Sequence, residues 1–137
     1  FGHWAAHKLE SLTQHRLRHG EAVAIGMAID ARQSHAAGLL DEVSLRRVLG
    51  VLAALGLPTW DPALDARGDG HRVVIDGLRE FREHLGGELC ITLLAAIGRG
   101  VEVGEAPEAR IEAAIAGLLP RLVDPAIRFA VPAALSA

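Results

Sequence analysis

The sequence predicts a mainly α-helical domain, a helical bundle with one small β-hairpin. Apolar residues recur at helical spacing through most of the chain, and glycine or proline marks the ends of those segments. Only residues 88–103 contain the short apolar runs that are typical of paired strands. With 137 residues, half of them hydrophobic, the chain is long enough for one core and too apolar for a disordered protein.

The first two helices are expected over residues 3–13 and 18–37. No glycine or proline interrupts the first helix. The second has an apolar face around Val23 and Met27, and Gly38 stands where a C-terminal cap belongs. We therefore expect two long helices joined by a short turn.

A third helix is expected after Asp41, which is a favourable N-cap residue, and Gly56 and Pro58 end it. Its apolar residues at helical spacing are Val48, Leu49, Leu52 and Leu55. Residues 58–70 are rich in turn formers and predict a surface loop or a hinge. A fourth helix over residues 71–85 is predicted by one apolar stripe, formed by Val74, Leu78, Phe81 and Leu85.

The end of the chain predicts a β-hairpin followed by a last helix. Residues 88–96 form an apolar run typical of a buried strand, and residues 101–103 alternate after a glycine-containing turn. Pro107 suits the first position of a helix that ends at Pro120 and whose core face is Ile111, Ile115 and Leu118. The predicted domain therefore covers residues 1–119, and residues 120–137 form a tail, either extended or partly disordered.

Composition excludes several classes of function. The formal net charge of −3 argues against a nucleic-acid partner, and no apolar run approaches the roughly 20 residues that cross a membrane. Cys90 is the only cysteine, so no internal disulfide can form, and a cytoplasmic location is consistent with this. We expect Cys90 to be inert packing within a strand. Because the chain starts with Phe1, we expect it to be a piece of a longer protein.

Histidines provide the first chemical signal, since four of the seven lie within the first 19 residues. His3 and His7 are four residues apart, on one face of the first helix. A helical hairpin would fold His19, at the start of the second helix, back beside His3. Zn²⁺ binds such nitrogens at about 2.0–2.1 Å, so a metal site is one interpretation and ordinary surface histidines are the other. His35 and His71 are expected at the surface.

Two longer strings add to this signal. Residues 1–10 (FGHWAAHKLE) and 17–27 (LRHGEAVAIGM) resemble the 3-dehydroquinate synthase superfamily of sugar phosphate cyclases, which has an FGH-x3-H-x2-E segment and an HGEAVAIGM segment. The resemblance covers about residues 1–119 and implies the C-terminal helical domain of that fold. The NAD-binding N-terminal half of the family is not part of this sequence.

The resemblance implies roles for individual residues. His3 and His19 match the two histidines that bind the catalytic Zn²⁺, whose third ligand, a glutamate, would lie upstream of Phe1. His7 matches a histidine that lines the substrate site near the phosphate and assists proton transfer. Glu21 matches the glutamate of the HGE segment. It either favours the helix start as a negative charge or supports a metal-binding histidine from behind.

The resemblance also implies a reaction and partners. The family eliminates phosphate and closes a ring by an aldol step, with NAD⁺ as a transient oxidant, and is a class of carbon–oxygen lyase. The expected partners are a sugar phosphate substrate and the NAD-binding half. Because a chain without that half would expose apolar surface, we also expect a homodimer or a larger species. Because NAD⁺ would be bound mainly by the missing half, we expect the chain alone to be inactive.

One segment departs from the dehydroquinate synthases, which have a DKK sequence before the position of Gly86. This chain has Arg82, Glu83 and His84 in that region, in a string closer to the sedoheptulose 7-phosphate cyclase branch typified by 2-epi-5-epi-valiolone synthase. These three residues are either substrate contacts or a solvated helix end. The alternative function for the whole chain is a non-catalytic helical remnant or an interaction module.

Overall fold

The computed structural model describes residues 1–119 and confirms a mainly helical fold. Its helices are α1 (His3–Leu12), α2 (His19–Ala36), α3 (Glu42–Ala54), α4 (Asp76–His84) and α5 (Glu108–Ala116). Two antiparallel pairs are formed by β1 (Arg67–Gly68) with β2 (His71–Arg72) and by β3 (Ile91–Ala96) with β4 (Arg99–Val103). None of the helices within residues 1–119 has the length and apolar character needed to span a membrane.

Helix α2 lies at the centre of the bundle, in contact with α1, α3, α5 and β3. Because it is covered on several sides, its small apolar residues are buried around most of its circumference: Ala22, Ala24, Ile25, Ala28, Ile29 and Ala31. The face predicted around Val23 and Met27 is only half-buried. The described core is therefore built around α2 and not against one stripe of it.

Two glycines allow α1 and α2 to approach closely. A Cβ on Gly26 would lie 1.9 Å from the carbonyl oxygen of Gly2, which no side chain could tolerate. Gly2 has a φ of 79°, in the left-handed region that favours glycine. The backbone contact between Gly2 and Gly26 therefore fixes where α1 starts on the surface of α2.

Helix α3 begins where the sequence predicts. The Asp41 side chain accepts a hydrogen bond of 2.8 Å from the backbone N–H of Ser44, which confirms the N-cap. Leu45 and Leu52 are buried. Leu55, one of the apolar residues at helical spacing, follows the last residue of α3 and is 69% exposed.

The fourth helix was expected to start at residue 71, which is wrong, because residues 71–72 form a strand of a short hairpin. Residues 71–72 pair with residues 67–68 across a turn in which Asp69 and Gly70 have φ values of 51° and 84°. The β-branched residues Val73–Ile75 then form a 3₁₀ turn, because such side chains are stiff in an α-helix, and α4 starts at Asp76. In the stripe predicted for this helix, Leu85 is 49% exposed.

Arg72 joins this hairpin to α5. Its side chain is buried, and its Nε donates a hydrogen bond of 2.8 Å to Glu112 while its Nη1 donates one of 2.7 Å to the carbonyl of Leu64. Asp65 completes the cluster as a second carboxylate. The segment expected to be an irregular loop thus contains a 3₁₀ helix, Pro62–Asp65, held in place by a buried cation.

The β3–β4 hairpin and the buried face of the last helix are confirmed. Ile91 pairs with Val103 at the open end of the hairpin. The predicted core residues of α5 are all buried: Ile111, Ile115 and Leu118. Cys90 precedes β3 and is exposed, so its expected role as packing within the strand is wrong. The predicted tail at residues 120–137 lies outside the described residues.

Candidate metal centre

The helical hairpin brings together the histidines that the sequence singled out. His3 and His7 lie on α1, and His19 is the first residue of α2. Their ring centroids are 5.7 Å apart for His3 and His19, 6.0 Å for His3 and His7, and 6.2 Å for His7 and His19. All three side chains are exposed, so the triangle of imidazoles opens onto the surface of this chain.

The turn between α1 and α2 determines where His19 lies relative to His3 and His7. After Thr13 caps α1, Gln14 and His15 take positive φ values of 50° and 60°, which reverse the chain within a few residues. Leu17 is buried and holds the turn against the core. The backbone N–H of Arg18 then donates to the carboxylate of Glu21 on α2. Arg18 is therefore the N-cap residue, and α2 starts at His19.

Hydrogen bonds leave one nitrogen free on each of two imidazoles. The Nδ1 of His3 lies 3.2 Å from the carbonyl oxygen of Phe1. The Nδ1 of His19 lies 3.2 Å from both carboxylate oxygens of Glu10. When Nδ1–H is donated to these acceptors, the lone pair is on Nε2. His3 and His19 therefore each present Nε2 as a ligand atom, in the way that metal-binding histidines are commonly held.

The donor set fits a zinc ion but does not complete its coordination. Two imidazoles on one tetrahedral zinc hold their centroids about 5 Å apart, because each Zn–N bond is about 2.0–2.1 Å. The observed separation of 5.7 Å for His3 and His19 is close to this. Within residues 1–119, no group of three or more His, Cys, Asp or Glu is already arranged to hold a metal ion.

The carboxylate behind the site is Glu10, which sequence reasoning did not single out. Glu21, considered for that place, accepts hydrogen bonds of 2.8 Å from the backbone N–H of Arg18 and 3.0 Å from its guanidinium. These hydrogen bonds lower the pKa of Glu21. The signal for Glu10 was its spacing, since it follows His3 by seven residues and His7 by three, on one face of α1.

A cavity beside the imidazoles is closed by α4. It has a volume of about 380 Å³ and is lined by Trp4, His7, Gly77, Glu80, Phe81, His84 and Leu85. An ion pair between Lys8 and Glu80 joins α1 to α4. A Cβ on Gly77 would lie 2.7 Å from the Cβ of Lys8, so these helices also meet at a glycine. His7 and His84 therefore face one space from two helices.

The other two candidates on α4 do not line this cavity. Arg82 lines a separate groove of about 690 Å³, together with Glu88 and Glu105. Glu83 is exposed. Consecutive residues on a helix are separated by about 100° because a turn has 3.6 residues, so Arg82, Glu83 and His84 cannot share one face. Of the three, His84 alone lines the same cavity as His7 within the described residues.

The part of the chain that contains α1, α2 and α3 matches a known family. The model of the 3-dehydroquinate synthase C-terminal domain matches residues 1–70, half of the chain. The chain belongs to the 3-dehydroquinate synthase family. The family expected from the two histidine-containing strings is thereby confirmed.

Relatives of two kinds match this member of the family. The 3-dehydroquinate synthase of Halorhodospira halophila is 38% identical over 110 residues, which are 79% of this chain and 30% of the relative. The 2-epi-5-epi-valiolone synthase of Streptomyces glaucescens is 48% identical over 63 residues, which are 46% of this chain and 16% of the relative.

A solved structure supports the same fold. ValA, a 2-epi-5-epi-valiolone synthase from Streptomyces hygroscopicus subsp. jinggangensis 5008 solved with NAD⁺ and Zn²⁺ bound, aligns with a TM-score of 0.78 and 35% identity. The alignment covers 86% of this chain and 31% of ValA. The chain is thus homologous to the C-terminal domain of sugar phosphate cyclases and spans less than a third of the length of these relatives.

One buried group of this family member was not predicted as part of any site. Asp30, in the middle of α2, is fully buried and accepts hydrogen bonds from Gly2, Trp4 and Gln33. Burial raises the pKa of Asp30 to about 6, although the three hydrogen bonds act in the opposite direction. No pattern in the sequence pairs Asp30 with residues 26 or 28 positions away.

Proposed function

We propose that the chain is the metal-binding C-terminal part of a sugar phosphate cyclase, with His3 and His19 as two ligands of a catalytic Zn²⁺. The observation that carries this proposal is the pair of imidazoles 5.7 Å apart, each with its Nδ1 held by an acceptor and its Nε2 free. A further carboxylate ligand and most of the NAD⁺ site would come from residues outside this sequence.

The proposed reaction explains why these residue types are needed. A heptulose phosphate would be oxidised transiently by NAD⁺, lose phosphate, be reduced again and close a ring by an intramolecular aldol step, which makes the intact protein a carbon–oxygen lyase. A bound Zn²⁺ supplies Lewis-acid polarisation of oxygen atoms. Within this chain, Glu10 holds His19 in the tautomer and orientation that binding requires.

We propose that His7 transfers a proton on the substrate side of the site. The centroid of its imidazole is 6.0 Å from that of His3 and 6.2 Å from that of His19. Unlike those two side chains, the His7 side chain lines the cavity beside α4. Histidine titrates near neutral pH, so one ring can accept a proton from carbon or donate one to leaving phosphate. His84, across the cavity, is proposed to contact the substrate.

The cavity favours a substrate without a carboxylate. The described residues that line it include two histidines and a glutamate but neither lysine nor arginine, and Arg82 lines another groove. A carboxylate held there would lack a permanent cation to pair with. We therefore propose a heptulose phosphate that has no carboxylate, as in the 2-epi-5-epi-valiolone synthase branch. A screen of the intact protein with heptulose phosphates that have and lack a carboxylate tests this.

We also propose that the intact protein works as a homodimer in a reducing cytoplasm. Exposed apolar side chains at Val43 and Val51 on α3, and at Leu55 directly after it, support association. The single cysteine, Cys90, supports a reducing compartment, since it has no disulfide partner in the sequence.

The metal assignment is tested by the zinc content of the intact protein that contains this chain. His3→Ala and His19→Ala should each abolish the retention of zinc, measured by elemental analysis after dialysis. The matched control is His15→Asn, which removes an exposed imidazole and places at that positive φ a residue that tolerates it. Unchanged zinc in His3→Ala would overturn the assignment and favour a non-catalytic helical module.

A further inference from the structure

We propose that Asp30 is a positioning residue that holds His3 in register with His19; this inference rests on the zinc site proposed above. Asp30 lies in the middle of α2, it is 0% exposed, and nothing in the proposed reaction uses it. Its contacts are made with the first residues of α1, where one proposed ligand lies.

The carboxylate of Asp30 binds the chain on both sides of His3. The backbone N–H of Gly2 donates a hydrogen bond of 2.7 Å to Oδ2, and the indole Nε1–H of Trp4 donates one of 2.9 Å to Oδ1. Gln33 donates a third, of 3.1 Å, to Oδ1 from one turn further along α2. Because the residues before and after His3 are both held, the start of α1 has little freedom to shift over α2.

Two carboxylates thus link the ligands reciprocally. Glu10 on α1 holds His19 of α2 by its Nδ1, and Asp30 on α2 holds the segment of α1 that contains His3. Each ligand is tied to the opposite helix. The separation of the two imidazoles is therefore set by two links across the helix pair, and not by the packing of apolar side chains alone.

A buried carboxylate is costly unless its hydrogen bonds are satisfied, so its presence needs a reason. Most of the other buried residues of α2 are apolar, among them Ala28, Ile29 and Ala31. An apolar residue would fill this place at lower cost, whereas directional hydrogen bonds specify a single arrangement of the helices. Such specification matters where two ligands must share one ion.

Asparagine cannot reproduce these hydrogen bonds. Its side chain has one acceptor oxygen and an NH₂ group that only donates. In Asp30→Asn, either the N–H of Gly2 or the indole of Trp4 would face a donor instead of an acceptor. We expect the start of α1 to move and the two imidazoles to lose their shared geometry.

The experiment measures Zn²⁺ affinity of the intact protein by competition with a chromogenic chelator, and the visible spectrum after loading with Co²⁺. Asp30→Asn should weaken zinc binding about tenfold or more, as loss of an outer-shell partner commonly does, and should alter the Co²⁺ ligand-field bands. The matched control is Ser34→Ala on the same helix. Ser34 is also buried, but its Oγ bonds the carbonyl of Asp30 and the N–H of Leu94 in β3, away from α1.

Ser34→Ala should lower the melting temperature while zinc affinity stays within about twofold of the parent protein. Equal weakening of zinc binding in Ser34→Ala and Asp30→Asn would overturn the proposal, since general destabilisation would then explain both. If Asp30→Asn does not fold, Trp4→Phe keeps an aromatic ring and removes one donor to the carboxylate. Zinc binding in Trp4→Phe should then be several-fold weaker.

Different results would refute the positioning role of Asp30 and the zinc site itself. If His3→Ala loses zinc while Asp30→Asn and Trp4→Phe keep the parent affinity and the parent Co²⁺ spectrum, Asp30 has no positioning role. If His3→Ala retains zinc, the site itself is wrong, whatever Asp30 does.

Discussion

At the scale of single residues, the bond between Glu10 and His19 gives a simple way to alter the site without removing a ligand. The Glu10 side chain is 18% exposed, and both its oxygens lie 3.2 Å from the imidazole. A carboxylate in this place fixes the tautomer and the orientation of the ring.

We predict that Glu10→Gln keeps the fold but weakens zinc binding by about tenfold, because the amide accepts the hydrogen bond without supplying the negative charge. Chelator competition on the intact protein measures this. Glu105→Gln, an exposed acidic position in another groove, is the control and should leave the affinity unchanged. Equal affinities in Glu10→Gln and the parent would show that Glu10 does not act through His19.

A second residue-scale prediction concerns His71, which was expected at the surface. Its side chain is only 14% exposed and lies 2.8 Å from a carboxylate oxygen of Asp76. The hydrogen bond to Asp76 is the main reason that the pKa of His71 is raised above its ordinary value of 6.5. Because the pKa is raised in the folded state, the pair stabilises the protein fully below the ordinary value. This stabilisation is lost as pH rises through the folded value.

We therefore predict that Asp76→Asn destabilises the chain more below about pH 6 than above about pH 8. Urea midpoints of the parent and the variant, measured across this range, give the difference directly. All other groups are common to the two proteins, so their contributions cancel in the comparison. A difference that does not change with pH would mean that His71 and Asp76 are not coupled.

The sequence predicted the grouping of the three histidines better than the residues that hold them. His3, His7 and His19 could be placed together because four-residue spacing and a short turn are local properties of the chain. The part played by Asp30 could not be foreseen, since its partners Gly2 and Trp4 become neighbours only after α1 packs on α2. Long-range hydrogen bonds leave no periodic trace in a sequence.

At the scale of elements, the geometry of the histidines depends on how closely α1 approaches α2. We predict that Gly26→Ala destabilises the protein by about 1–3 kcal/mol, because a methyl group there overlaps the carbonyl of Gly2 and forces the helices apart. The same variant should bind zinc more weakly, since the start of α1 would shift. Chemical denaturation and chelator competition measure the two effects.

Gly20→Ala is the control on the same helix, because a Cβ at Gly20 would have no atom within 4 Å. Alanine is the better helix former by about 1 kcal/mol, so this variant should be neutral or slightly more stable. Gly26→Ala with the stability of Gly20→Ala would contradict the close approach of α1 and α2.

Elements themselves were predictable where local signals agreed. Asp41 marks the start of α3 as expected, whereas α4 starts later than its apolar stripe suggests. Besides the β-branched residues 73–75, the hairpin before α4 contains Arg72, whose partner Glu112 is 40 residues away on α5. Pairing of residues 67–68 with 71–72 is stabilised by that contact, which no window of the sequence contains.

At the scale of the whole molecule, this chain corresponds to 31% of ValA. We predict that the chain of residues 1–137 alone, given NAD⁺ and Zn²⁺, releases no phosphate from a heptulose phosphate, because the proposed nucleotide site and a further proposed metal ligand would lie outside it. A colorimetric phosphate assay checks this, with the intact protein as the positive control. Turnover by the isolated chain at the rate of the intact protein would overturn the assignment of the missing functions.

The cavity is lined by residues from two distant parts of the sequence, which has a consequence for how such proteins diverge. The three imidazoles come from one short stretch of the gene, whereas His84, opposite them, comes from a stretch some 65 codons downstream of His19. Point mutations and recombination can therefore alter the wall contributed by α4 while the histidine hairpin is inherited intact. A change in α4 can therefore reshape the cavity without altering the three imidazoles.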